Sequence, residues 1–281
     1  TSFYSSGINA IELNTNQEAN YYIWYGDSLS NRQVRNPIAY ASSGNNQYIL
    51  NVFFVDSSAN ELITNGNFEQ GNTGFSSQLT YSSSTSTLNP YGYYTIWNNA
   101  NNLAYYFCSA SNGGKFMIID GDTSAMVINY QTTVNVDTNT YYYLSFDAAE
   151  INTYQHTIND VARLKVYANN YATNGVDTLS TTPCQWNNYH RIIYSGSNNQ
   201  LTIRILDMNI NQLGNDFALD NISMKKMCKA IDTMNINIID TTNCYIKILP
   251  TNDTLIVSPN TVHLQLSTTR PATYYSWSPN T

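Results

Sequence analysis

Carboxylates, amides and aromatic rings are the side chains through which this sequence could do chemistry. Carboxylate and amide oxygens are the donors that a hard cation such as calcium takes. Aromatic rings beside Asn are what a pyranose needs: its apolar face stacks on the ring, and amides bond its hydroxyls. Trp97, in Thr95-Ile96-Trp97-Asn98-Asn99, lies in an Asn-rich stretch, and Tyr154 and His156 follow a strand-like run over 141–149. These three are the carbohydrate-binding candidates, although 24 Tyr in one chain place some aromatics in loops by composition alone. Trp186 sits in an alternating segment and reads as core.

Catalysis finds little support. There is no GxSxG, HExxH or P-loop pattern, and His156, His190 and His263 have no Cys or Ser at a suggestive spacing. Asp147 and Glu150 are of the type a glycosidase pairs, but a spacing of three puts them on opposite faces of a strand. Asp207-x-Asn209-x-Asn211 lacks the Gly of a calcium loop, having Gln212 instead. Cys108, Cys184, Cys228 and Cys244 form no CxxC pair, which argues against zinc. Outside the cell, Cys108 would pair with Cys184 and Cys228 with Cys244; free buried thiols are the alternative.

The elements that must position these groups are strands. Charged residues are only 11% of the chain against 42% hydrophobic, so it folds, and Asn, Ser, Thr and Tyr suit short strands and turns. No run reads as a long amphipathic helix or approaches a membrane span, and a net charge of −7 without a basic cluster argues against nucleic acid and anionic membranes. The chain begins at Thr1 without a signal-like region and is expected to be a mature product or a fragment. Strands are expected near 105–107, 116–119, 131–136, 141–146, 163–167, 191–194 and 201–206, with a long polar surface loop over 76–102 that has a strand inside it. Two stretches organise them. Gly214-Asn215-Asp216-Phe217-Ala218-Leu219-Asp220-Asn221-Ile222-Ser223-Met224 reads as a strand entered from a turn, and Leu62-Ile63-Thr64-Asn65-Gly66-Asn67-Phe68-Glu69 as a strand broken by an Asn-Gly turn.

With Gly113-Gly114-Lys115-Phe116-Met117-Ile118-Ile119-Asp120-Gly121 and Cys184-Gln185-Trp186 between them, these stretches resemble the calcium-binding jelly rolls of the galactose-binding-like superfamily, which includes many carbohydrate-binding modules. Their order is similar to that in a jelly-roll module of large secreted surface proteins of gliding and related Bacteroidetes. The resemblance covers about residues 58–228. It implies that the acidic residue after NGxF and the Asp of the last strand, here Glu69 and Asp220, converge on a structural Ca²⁺. Asn67 and Asp122, the latter in the Asp120-Gly121-Asp122 turn, are further contributors under this resemblance.

The chain ends repeat one another. Glu12 aligns with Gln265 and Trp24 with Trp277 without a gap, with identical Leu, Thr, Ala, Tyr, Tyr and Trp between. Residues 1–57 resemble the C-terminal part of an Ig-like domain, and 229–281 the N-terminal part of a second. The reading is therefore an all-β chain in which a jelly-roll β-sandwich (58–228) is flanked by partial Ig-like sandwiches. Its expected role is non-catalytic: an adhesive or structural segment of an extracellular surface filament, with neighbouring copies or repeats as partners. The alternative is a carbohydrate-binding module of a larger secreted polysaccharide-active protein. The incomplete ends fit either a covalent tandem array or strands supplied by a neighbouring subunit.

Overall fold

Every described element of the computed structural model is a β-strand. The structure describes residues 2–5, 9–16, 18–42, 44–56, 58–83, 88, 91–100, 108–111, 113–152, 157–211, 214–240, 248–249 and 267–268. Contacts divide the chain into two units: Thr1–Glu18, Tyr22–Asn51 and Ile231–Thr281 in one, Ala19–Tyr21 and Val52–Ala230 in the other.

The first unit draws on both ends of the chain. Its strands are β1 (Ser2–Ser5), β2 (Asn9–Glu12), β3 (Tyr21–Tyr25), β4 (Ile38–Ala41) and β5 (Gly44–Val55), of which β3 and β5 cross the division between units. β2 pairs antiparallel with β4, and β3 pairs with β5. Leu13, Trp24, Ala39, Ala41, Tyr48 and Leu50 are buried. Trp24 is core, with its indole N–H donating to the Val34 carbonyl at 3.0 Å.

The second unit is a β-sandwich. β6 (Thr80–Tyr81), β7 (Tyr93–Trp97), β8 (Phe116–Asp120), β9 (Val127–Asn135), β10 (Tyr141–Glu150), β11 (Arg163–Ala168), β12 (Tyr171–Ala172), β13 (Asp177–Thr178), β14 (Asn187–Tyr194), β15 (Gln200–Asp207) and β16 (Phe217–Asp240) follow in order. One sheet runs β14-β10-β16-β8-β7-β6; the other runs β12-β11-β15-β9, with β13 on β11. β16 passes out of this unit after Ala230, and its last residues, with β17 (Ile248–Leu249) and β18 (Ser267–Thr268), belong to the first.

Alternation explains the layers. Tyr142, Leu144, Phe146 and Ala148 of β10 point inward with Leu219, Ile222 and Met224 of β16. They meet Leu164 and Val166 of β11 and Leu201, Ile203 and Ile205 of β15 across the sandwich. β8 is buried at every residue, because a second cluster (Phe116, Ile118, Ala218, Cys108, Ile151) packs on its outer side. That is why its sequence is an unbroken apolar run. Over this outer cluster the structure joins Cys108 to Cys184 in a disulfide. Trp186 packs edge-on to Phe116 and donates to the Ser109 carbonyl. Cys228 is a free, exposed thiol; Cys244 and the strand expected near 105–107 lie outside the described residues.

Where a strand was expected over 62–69, the structure has a turn pinned to β16. Asn65 and Phe68 take left-handed backbone conformations, and the Asn65 amide is bonded to Gly71 and Thr73 carbonyls and to the Gln70 N–H. Gly66 lies so close to β16 that a Cβ there would fall 1.8 Å from the Ile222 carbonyl oxygen. Local Asn–backbone bonds outcompete a ladder here.

Candidate functional site

The outer face of β10 is where exposed rings and polar groups meet. Tyr141, Tyr143, Ser145 and Asp147 alternate with the buried core residues and so point outward. On β14, Tyr194 stands opposite Tyr141 and Asn188 opposite Asp147. The Tyr141 and Tyr194 ring centroids are 4.7 Å apart, and Tyr143 stacks on His190 at 5.4 Å and 16°. Phe53 closes one end of this row, 4.4 Å from Tyr141. Next along the strand comes the polar end.

That polar end owes its form to an irregularity. The pairing of β10 with β16 shifts between Ser145 and Asp147, so that Asn221 and Ile222 share the position opposite Phe146, directly beside Asp220, which stands opposite Asp147. Asn221 takes a left-handed φ of 48°, which Asn tolerates better than most residues. In consequence the Asp220 and Asn221 side chains reach the same cluster. The Asn221 amide donates to Ser111 Oγ (2.6 Å) and to Asp147 Oδ2 (2.9 Å). Ser111 Oγ lies 3.1 Å from Asp147 Oδ2 and 3.2 Å from Asp220 Oδ2, and Asn188 donates to Asp147 Oδ1 at 2.8 Å. Burial pushes the Asp220 carboxyl up to about 6, against hydrogen bonds from the Asn221 N–H and Ser111. The arrangement is a row of rings ending in a set of carboxylate, amide and hydroxyl groups.

The opposite sheet also presents polar residues outward; Tyr171 of its edge strand β12 is exposed, whereas the Tyr167 ring is covered. The Arg204 guanidinium sits over Tyr167, 5.6 Å from the centroid, and also reaches the Asn169 carbonyl.

The sequence-predicted sites are dispersed by comparison. Trp97 ends β7 opposite Phe116 and is 36% exposed; Tyr154 and His156 lie outside the described residues. Asp147 and Glu150, expected on opposite faces, are so placed: Asp147 in the outer cluster, Glu150 fully buried. Glu69 holds the Lys115 N–H at 2.7 Å, and its own N–H approaches Asn67 Oδ1 at 3.5 Å. Asp220 bonds Ser111, so Glu69 and Asp220 engage the two ends of one segment, 111–115. Asp122 does not join them; its carboxylate caps the Ser124 N–H, because the chain after β8 turns toward Asn215. Among the described residues, no three His, Cys, Asp or Glu side chains are grouped to hold a metal ion. The residues missed by sequence reasoning are Tyr143, His190, Asn188 and Ser111. The alternation in Tyr141-Tyr142-Tyr143-Leu144-Ser145-Phe146-Asp147 carried the signal for Tyr143, but not which Tyr faced out.

No family model matches this chain, and no curated protein does. Among solved structures it is similar to the CBM22-1 xylan-binding domain from Paenibacillus barcinonensis Xyn10C (TM-score 0.41, 13% identity, covering 61% of this chain and 97% of that one). It is likewise similar to a family 16 carbohydrate-binding module (0.36, 17%, 58% and 98%). A third is TmCBM61, solved in complex with beta-1,4-galactotriose (0.35, 11%, 62% and 100%). All three are carbohydrate-binding modules, and at this level of identity and similarity no substrate is carried over with the likeness.

Proposed function

We propose that the 52–230 unit is a non-catalytic carbohydrate-binding module of an extracellular protein, with the outer face of β10 and β14 as its glycan platform. The observation that carries this reading is the row Tyr141/Tyr194, Tyr143/His190, Asp147/Asn188 along two paired strands. Rings separated by two residues of strand lie roughly 7 Å apart, a spacing that suits successive units of an extended glycan. Carboxylate and amide groups at the end of the row serve sugar hydroxyls. This favours the binding-module reading over a purely adhesive or filamentous one, since a filament needs no such row. The disulfide between Cys108 and Cys184 supports an oxidising, extracellular setting.

A structural calcium ion at Glu69 and Asp220 remains part of the proposal. Glu69 and Asp220 bring carboxylates to segment 111–115 and Ser111 a hydroxyl, oxygen donors of the kind a hard cation takes. An ion there would tie the 111–115 segment to β16 beside the platform. The deciding experiment is affinity electrophoresis against a panel of soluble polysaccharides with Tyr143→Ala, His190→Ala and Trp97→Ala. Retardation of the wild type by at least one glycan, lost in the first two variants with an unchanged thermal midpoint, is the expected result. Loss in Trp97→Ala alone would move the site to β7, and no retardation by any glycan would return the adhesive reading to first place.

A further inference from the structure

β3 opens with Tyr21-Tyr22-Ile23-Trp24, in which Tyr21 and Trp24 stand three residues apart and so on opposite faces of the strand. Trp24 is buried in the first unit, whereas Tyr21 belongs with Ala19–Tyr21 to the second and stays partly exposed. There its ring meets Phe53, 5.7 Å away between centroids and tilted by 39°. The residue before it is fixed to β5 at two points. The Asn20 N–H donates to the Phe53 carbonyl at 3.0 Å, and Asn20 Oδ1 accepts from the Val55 N–H at 2.9 Å.

Phe53 is only 1% exposed, so it holds its neighbours in place and offers no face to a ligand. Those neighbours are two partly exposed rings. Phe53 lies 4.4 Å from Tyr141 as well as beside Tyr21, and the Tyr21 and Tyr141 centroids are 6.3 Å apart. Distance decides which rings can serve separate sugar units. Tyr194 and Phe53, within 4.7 Å of Tyr141, are too close to it to be positions of their own. Tyr21 is not: its 6.3 Å step from Tyr141 is comparable with the roughly 7 Å between residues two apart on a strand, the step from Tyr141 to Tyr143.

We infer that Tyr21 contacts a sugar unit, a third ring position after Tyr143/His190 and Tyr141/Tyr194, and that the ligand is a linear glycan bound over several consecutive units. This rests on the glycan-platform reading and extends it. Tyr21 and its support Phe53 both precede the 58–228 stretch whose motifs resemble a jelly-roll module, so the platform takes in residues from outside that stretch.

The test uses the full chain and linear β-1,4-linked gluco-, xylo-, manno- and galacto-oligosaccharides of two to six units, with affinities from titration calorimetry. For at least one series, wild-type affinity is expected to rise with length beyond the disaccharide. Tyr21→Ala should bind the hexasaccharide about fivefold more weakly, keep wild-type affinity for the disaccharide and leave the thermal midpoint unchanged. Tyr21→Phe, which retains the ring, should bind as the wild type does. Wild-type affinity of Tyr21→Ala at every length overturns the inference, and the platform then stands or falls on Tyr143→Ala and His190→Ala. An equal loss at every length, disaccharide included, also overturns it, because Tyr21 would then act on the whole face and not at one position. So does a wild type that binds none of the four series; retardation by another polysaccharide would then leave the platform alone standing.

Discussion

Asp147 and Glu150 stand three residues apart on one strand, in opposite environments. Asp147 is met by neutral donors on an open face, whereas Glu150 lies in the interior, where burial pushes its carboxyl up to about 9. Asp207 is likewise pushed by burial up to about 6. In metal-free protein these groups hold protons that the unfolded chain releases near pH 4, so their stabilising contribution is complete only below that pH. It falls as pH rises through about 6 for Asp207 and through about 9 for Glu150. In EDTA, wild-type stability should therefore drop by a few kcal/mol relative to Glu150→Gln between pH 5 and pH 8. Urea midpoints at the two pH values measure this, and parallel pH dependences would contradict it. Gly66 makes a purely steric prediction. With the Ile222 carbonyl where its Cβ would be, Gly66→Ala should cost at least about 3 kcal/mol or prevent folding, read by chemical denaturation.

At the scale of elements, β16 is the strand on which the second unit depends. Its first residues pair with β8 and β10, its irregular step turns Asp220 and Asn221 outward together, and the 62–68 turn is pinned along it. Much of this was legible. The strands near 116, 141, 163 and 201 were visible from alternation and from short apolar runs between turn residues. The 62–69 segment was not, because an apolar run before Asn-Gly looks the same whether it pairs in a ladder or is held by one Asn side chain. Nor was the convergence of Ser111, Asp147, Asn188 and Asn221, since it depends on a register shift between strands far apart in sequence. The Cys108–Cys184 disulfide closes 76 residues of sequence over the outer cluster of Phe116 and Trp186. Its replacement by Cys108→Ser/Cys184→Ser should cost about 2–5 kcal/mol and expose Trp186, shifting its fluorescence to the red. An unchanged spectrum and midpoint would show that the covering loops hold without it.

At the scale of the whole molecule, the chain comprises two units, one continuous over most of its length and one drawn from both ends. Each has buried apolar residues of its own, so calorimetry should resolve two transitions, and glycans should raise only that of the 52–230 unit. A single transition shifted as a whole would show that the units unfold together. Composition and turn chemistry were enough to establish an all-β chain and to argue against nucleic acid as a partner, because these follow from side-chain type and local period. The repeat between residues 12–24 and 265–277 was likewise visible in the sequence. Only the tertiary structure decided which Tyr of β10 face outward, that Asp122 stands apart from Glu69, and that Glu150 is buried while Asp147 joins the outer cluster. Those outcomes depend on strand register and on which faces the second sheet and the loops cover. Register is chosen by long-range packing, on which the neighbours of a residue in sequence have little to say.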